Sequence, residues 1–207
     1  MKAKSFFPLI ILALFMFSCN QQQKKSEPET INSLKSSVEA ELLANAKYWN
    51  YADMARQDSL PGIAAMFHAT AVSEKAHADR QITLLLSHGK NPEQFKPDFP
   101  PYNLRENIKT AIDIEHYEAT EMYPDFIAIS DKEGLDDVSE SFGWALKAEI
   151  KHRDIFMLAL ASLDDTTIKL PKAYVVCPRC GNTMDAEDYS NPCDICENDA
   201  SKFVKVD

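Results

Sequence analysis

The sequence predicts an all-α protein: a four-helix bundle with a long crossover between its second and third helices, followed by a small four-cysteine metal domain. Three observations carry this: four long stretches of helical periodicity, a proline-rich link in their middle, and two Cys-x-x-Cys pairs near the end. The 207 residues suffice for one ordinary domain and a small one, and five glycines are too few for a β-rich or loop-rich fold. A hydrophobic content of 45% is enough to bury a sizeable core. The net charge of −10 gives an acidic surface that repels nucleic-acid phosphates and anionic lipid headgroups, which argues against both as partners.

The N-terminus reads as an export signal. Lys2 and Lys4 form a basic start, and Phe6 to Phe17 is an apolar run broken by Pro8. This run has signal-peptide proportions and is short for a membrane span. Ser18-Cys19 at its end resembles a bacterial lipoprotein signal, so residues 1–18 are expected to be removed and Cys19 lipidated. A plain secretory signal and an uncleaved anchor are the alternatives. Cleavage would take away Lys2 and Lys4 and move the charge from −10 to −12. The predicted location is outside the cytoplasm, lipid-anchored to a bacterial membrane on its periplasmic side. Residues 19–32, rich in Gln, Lys, Ser and Glu, read as a solvated tether.

The bundle is expected over residues 33–163. A first helix from Ser33 to Gln57 breaks at Ser59-Leu60-Pro61-Gly62, and a second runs to Ser87 and stops at His88-Gly89. Pro92, Pro97, Pro100 and Pro101 mark a crossover over residues 91–101. A third helix from Leu104 to about Lys132 is expected to kink at Pro124, Gly134 marks a turn, and a fourth helix covers Leu135 to Leu163. One long link in the middle with short links elsewhere is the ferritin-like arrangement.

The core-facing stripes are apolar at both ends and acidic in the middle. The second helix aligns Ile63, Phe67, Thr70, Glu74, His77, Gln81 and Leu84 at steps of three and four. The fourth aligns Val138, Phe142, Ala145, Glu149, His152, Phe156, Ala159 and Leu163. The first contributes Leu34, Val38, Glu41, Tyr48 and Ala52, and the third Ile108, Ala111, Glu115, Glu118, Met122 and Phe126. Buried carboxylates cost several kcal/mol each unless compensated, and these stripes hold no lysine or arginine. Two metal ions would neutralise the cluster. A Glu from each of two helices with a Glu-x-x-His from each of the other two is the pattern of di-iron carboxylate bundles. One Glu-x-x-His by itself is an ordinary surface ion pair; four acidic groups at mid-stripe are not. His68, His88 and His116 lack this context, and Met54, Met66 and Met157 read as core filler.

Residues 164–172 form a linker to a four-cysteine domain over 173–207. Cys177-x-x-Cys180 and Cys193-x-x-Cys196, twelve residues apart, have the spacing of a tetrahedral thiolate site. Spacing leaves iron or zinc open, and disulfides are the alternative in an oxidising compartment.

These pieces together resemble rubrerythrin. The resemblance runs from Ser33 to the end and rests on Glu41 with Tyr48, Ser73-Glu74-Lys75-Ala76-His77-Ala78, the string from Glu115 to Phe126, Ala148-Glu149-Ile150-Lys151-His152, and the rubredoxin-like tail. It implies that Glu74 and Glu149 bridge two irons, with Glu41 on one and Glu115 and His152 on the other. Glu118 and His77 would alternate on the first iron, carboxylate in the ferric form and imidazole in the ferrous. Tyr48 and Tyr123 would orient carboxylates. The implied activity is a non-haem di-iron peroxidase reducing hydrogen peroxide to water, with electrons relayed through a four-cysteine iron. The rival is a metal-storing or metal-sensing lipoprotein with a zinc knuckle. An exported chain is out of reach of cytoplasmic nicotinamide-linked reductases, so the sequence leaves the electron donor unnamed. From His152 to Leu163 a helix carries the chain roughly 16 Å away from the irons. A tail docked at its own bundle's end is then remote, and the resemblance implies a homodimer in which the tail reaches the partner's di-iron site.

Overall fold

The computed structural model describes residues 28–94, 96–98 and 103–207. The expected signal and residues 19–27 of the tether, Cys19 among them, lie outside the described residues. Among those residues no helix is long and apolar enough to cross a membrane.

Helix α1 (Glu29–Gln57) starts four residues before the expected Ser33, so Glu29 to Asn32 belong to the bundle and not to a tether. The cause is tertiary: the Glu133 carboxylate accepts from the Glu29 and Thr30 backbone N–H groups at 2.8 and 2.9 Å, satisfying donors that a helix start leaves open. Helix α2 (Pro61–Ser87) follows a tight turn at Ser59 and opens on a proline that has no N–H to lose. His88 sits at its C-terminal cap.

The third expected helix is one continuous run in three parts: α3 (Leu104–Tyr117), a π-helical turn (Glu118–Met122) and α4 (Tyr123–Glu133). Pro124 has no N–H to donate one turn back, and the wider π turn ahead of it absorbs the mismatch. Gly134, at φ 71°, closes α4 in the left-handed conformation that lets α5 (Asp136–Ser162) turn back along it. Two antiparallel hairpins, α1 with α2 and α3–α4 with α5, make the bundle.

Two apolar clusters sandwich the acidic middle. One holds Tyr48, Tyr51, Phe67 and Phe156, the other Leu34, Leu85, Tyr123 and Phe142. Burial at each full side chain contributes about 1.5–3 kcal/mol, so both ends hold the helices while the middle is left to the acids. Met66 is in the core, but Met157 is 54% exposed and is not core filler.

The tail forms a small antiparallel sheet, β1 (Tyr174–Val176) between β2 (Thr183–Asp185) and β3 (Val204–Val206). Arg105 grips Asp164 through two hydrogen bonds of 2.6 and 3.1 Å, fixing the point where the linker leaves α5. The linker then folds back: Leu170 packs over Gly62, and β1 lies along α2. This corrects the expectation that a tail on its own bundle would be stranded at the end. It docks at mid-height on the bundle of its own chain, beside His77 and His152.

Candidate metal centres

Each acidic stripe converges on one buried chamber. Glu41, Glu74, Glu115, Glu149 and His152 are fully buried, and Glu118 and His77 are 2% and 4% exposed. The ligand atoms of Glu41, Glu74, His77 and Glu149 lie within 4.8 Å of one another, as do those of Glu74, Glu115, Glu149 and His152. Glu74 and Glu149 belong to both groups, which is the placement a bridging pair requires. The His77 Nδ1 lies 3.0, 3.1 and 3.6 Å from Glu149, Glu74 and Glu41. The His152 Nδ1 lies 2.7, 3.3 and 3.5 Å from Glu149, Glu74 and Glu115. Glu118, on the π turn, is buried beside the chamber but outside both groups.

Electrostatics show how badly the chamber needs cations. Burial pushes Glu41 up to about 8, against the pull of His77. Burial and the neighbouring carboxylates drive Glu115 and Glu118 well above the ordinary range. Burial opposes the charged imidazoles, yet the carboxylates facing them raise His77 and His152 well above the usual histidine value. Glu74, despite its burial, is held down to about 2 by His152 and His77. Lys47 stands half-buried on the flank, its charge facing Glu118.

The fit to a metal pair rests on five orphaned oxygens. Glu41 Oε2, Glu74 Oε1, Glu115 Oε2, Glu118 Oε2 and Glu149 Oε1 are buried and make no aligned hydrogen bond, although a histidine Nδ1 stands 3.0–3.6 Å from all but Glu118 Oε2. An ionised carboxylate left this way is untenable unless a cation takes the free oxygen. Glu74 Oε2 and Glu149 Oε2 meet the Nδ1 atoms of His77 and His152 at 3.1 and 2.7 Å, while the second oxygens of Glu115 and Glu41 are oriented from outside, as metal ligands usually are. Tyr48 donates to Glu115 Oε1 at 2.5 Å. Tyr123 donates to Glu41 Oε1, receives a hydrogen bond from Gln81 Nε2 at 2.9 Å, and Ser37 in turn donates to Gln81. Tyr48 and Tyr123 thus stand where the sequence reading put them. Ser37 was missed, since a small hydroxyl on a helix stripe carries no motif.

The second centre is a thiolate cage. Cys177, Cys180, Cys193 and Cys196 are buried and unbridged, with Cys177–Cys196 and Cys180–Cys193 sulfurs 3.6 Å apart. Disulfides, at about 2.05 Å, are excluded by that spacing. Thiolate–metal bonds of about 2.3 Å in a tetrahedron give edges of about 3.8 Å, so the cage fits a metal. The hydrogen bond from Cys180, against burial, brings Cys177 down to about 5, while burial pushes Cys196 up to about 12. The knuckles are related by a pseudo-twofold. Gly181 and Glu197 each turn with positive φ and donate their N–H to the Cys177 and Cys193 carbonyls at 2.9 Å. Asn182 and Asn198 then reach across to the sulfurs of Cys193 and Cys177.

The two centres touch. His77 Nε2 donates to the Cys180 carbonyl at 3.0 Å, and His152 Nε2 meets Thr183 Oγ1 at 3.1 Å. Ser73 Oγ donates to the Gly181 carbonyl at 2.5 Å, and a Cβ on Gly181 would collide with His77 and Ser73. Lys151 pairs with Asp194 at 2.7 Å and Asn182 at 2.9 Å. Arg80 and Arg179 lie over the Trp144 ring, 4.3 and 4.5 Å from its centroid. Of these residues only the metal ligands carry a sequence signal. Ser73, Trp144 and Thr183 become visible as docking residues once the tail has a place. His116 is exposed, and His68 stacks on Trp49 away from the chamber.

Fold and site together define a ferritin-like di-metal carboxylate protein with a rubredoxin-like four-cysteine domain. The family model described as Rubrerythrin matches residues 32–160. A protein of Methanocaldococcus jannaschii named putative rubrerythrin is 30% identical over 84% of this chain and 91% of its own length. Nigerythrin of Nitratidesulfovibrio vulgaris is 29% identical over 91% of this chain and 92% of its own. A solved structure titled as the fully reduced, all-ferrous state of nigerythrin superposes with TM-score 0.77 at 27% identity, covering 99% of this chain and all of that one. The chain belongs to the rubrerythrin family. Its carboxylate–histidine chamber is the family's di-iron site and its thiolate cage the accompanying metal site, which makes it a non-haem di-iron oxidoreductase by class.

Proposed function

We propose that this chain reduces hydrogen peroxide to water, taking electrons one at a time through the four-cysteine site. The observation that carries the reading is the hydrogen bond from the His77 ring to the Cys180 carbonyl, which ties a chamber residue directly to a cage residue. A storage or sensing protein has no need of a thiolate centre in contact with a ligand of the di-iron pair.

When bound, the iron pair supplies the two electrons that split the O–O bond, so that peroxide, two protons and two electrons give two waters. The chain's own residues prepare for this. Glu41, Glu74, Glu115 and Glu149 hold the pair, with Glu74 and Glu149 common to both metal positions. Tyr48 and Tyr123 hold Glu115 and Glu41 in their binding orientation through phenol hydrogen bonds. The arrangement with His77 among the ligands and Glu118 outside supports their exchange, since the neutral ring suits the lower-charge state and the carboxylate the higher. Apolar clusters above and below exclude water. The lipid anchor at Cys19 and an exported location belong to this proposal, as does a homodimer. Two copies exchanging tails across the linker would make the same docking contacts.

The test is a single turnover without oxygen. Iron-loaded protein, fully reduced, should consume one peroxide for each two electrons released by the di-iron pair, and no dioxygen should appear. A ferric-thiolate colour in the tail should return only after the pair is oxidised. Peroxide loss no faster than with zinc in both sites would overturn the reading.

A further inference from the structure

Both histidines of the chamber turn Nδ1 to the carboxylates and Nε2 outward, and each Nε2 is met by the tail. For His77 the partner is the Cys180 carbonyl, for His152 the Thr183 hydroxyl. The directions of these bonds follow from the donors and acceptors available. A carbonyl only accepts, so His77 carries its proton on Nε2. Thr183 has one hydroxyl proton, which goes to the Gly181 carbonyl at 3.1 Å. Its oxygen is then left to accept from His152 Nε2. Without metal, each Nδ1 also carries a proton, given to a carboxylate at 3.1 Å for His77 and 2.7 Å for His152; a metal that displaced that proton would find a ring protonated on Nε2 with its lone pair on Nδ1, the nitrogen that faces the metal position in both rings. The tail therefore sets the tautomer and the tilt of both ring ligands.

These contacts exist only when the tail is folded and seated. Its strands are three residues long, and its buried interior includes the four cysteine side chains beside Trp144, so its fold depends on the metal they bind. The seat is narrow. Gly181, at φ +75°, leaves no space for a Cβ against His77 and Ser73, and Ser73 and Thr183 share the Gly181 carbonyl.

We propose that the four-cysteine tail is an assembly element of the di-iron centre as well as an electron relay. The Cys180 carbonyl and Thr183 position the two histidines, so the two metal centres load cooperatively. Metal in the tail folds the knuckles, the folded knuckles aim the imidazoles, and the aimed imidazoles raise the affinity of the chamber. By linkage, metal in the chamber raises the affinity of the tail by the same factor. Thr183 is the positioning residue that carries this for His152. The inference rests on the metal-site reading but not on peroxide chemistry, and no turnover enters its test.

The experiment loads the full chain with one zinc in the tail, where thiolates hold zinc against cobalt. The chamber is then titrated with cobalt(II) under argon, read by calorimetry and cobalt absorption. Thr183→Val keeps the shape and removes the hydroxyl, and Thr183→Ser restores it. Loss of such an outer partner costs about 10–100-fold in metal affinity. Thr183→Val should therefore bind cobalt weaker by that factor, and Thr183→Ser should stay within about 3-fold of wild type. Equal affinity in Thr183→Val and wild type would overturn the proposal. Should Thr183→Val hold less than one zinc, the unmodified chain decides the matter. Its tail zinc, challenged with a chelating dye, must be held more tightly when cobalt fills the chamber, and identical zinc affinity with the chamber full or empty sinks the coupling.

Discussion

Stripped of metal, the protein should lose stability as pH rises from 4.5 towards 8, the window between the ordinary Glu41 value and its value in the fold. Because burial raises the Glu41 carboxyl, the folded state keeps a proton that the unfolded chain has released. The unfolded state then binds fewer protons, so stability falls with pH. Glu115 and Glu118, raised by burial and neighbouring carboxylates, act in the same direction. His77 and His152, raised by the carboxylates around them, stabilise fully below 6.5 and lose that contribution as pH climbs through their folded values. Glu74, held down to about 2, acts the other way, but only as pH falls below 4.5. For Glu41 alone, the rise from 4.5 to about 8 amounts to about 5 kcal/mol. In a chain of this size that moves the melting temperature by roughly 10–20 °C. Bound metal reverses the sign, since ionised ligands are then favoured and protons displace the ion at low pH. The assay is helical circular dichroism against temperature at about pH 5, 6.5 and 8, with chelated and iron-loaded protein. Chelated protein that melts at the same temperature or higher at the alkaline end would refute the reasoning.

Two further outcomes are expected. Glu197 occupies the turn position that Gly181 fills in the other knuckle, at φ 59°, a conformation costing an L-residue about 1–2 kcal/mol, so Glu197→Gly should slow metal loss from the tail to a chelator; faster loss would contradict this. Mixing Glu149→Ala with Cys180→Ser chains tests the route of the electron. Docking within one chain predicts no recovery of peroxide turnover in mixed dimers, whereas recovery would show that tails are exchanged between subunits.

Much of this protein is legible along the chain because the relevant signals are local. Glu74 with His77 and Glu149 with His152 fall three residues apart on faces whose apolar periodicity is plain, so four helices and the contents of their shared chamber follow from spacing. The thiolate cage is equally local, two short turns with fixed separation. The run from Glu115 to Phe126 announces a disturbance at Pro124, but not its form. Whether a proline kinks a helix or is absorbed by a π turn depends on which arrangement keeps Glu115, Glu118 and Met122 against the core.

What the sequence determined by itself is therefore the helices, the acids in the core and the two donor sets, with iron or zinc left open for the thiolates. Tertiary structure alone decided where the tail sits. That position depends on the path of residues 163–173, set by the Arg105–Asp164 clasp and by Leu170 over Gly62. The contacts that then join the centres, His77 to Cys180 and His152 to Thr183, link residues 103 and 31 apart in sequence. No periodicity relates such residues, because small errors in each linker torsion add along the chain. Only the packed surface, with a seat too narrow for a side chain at Gly181, selects one docked position.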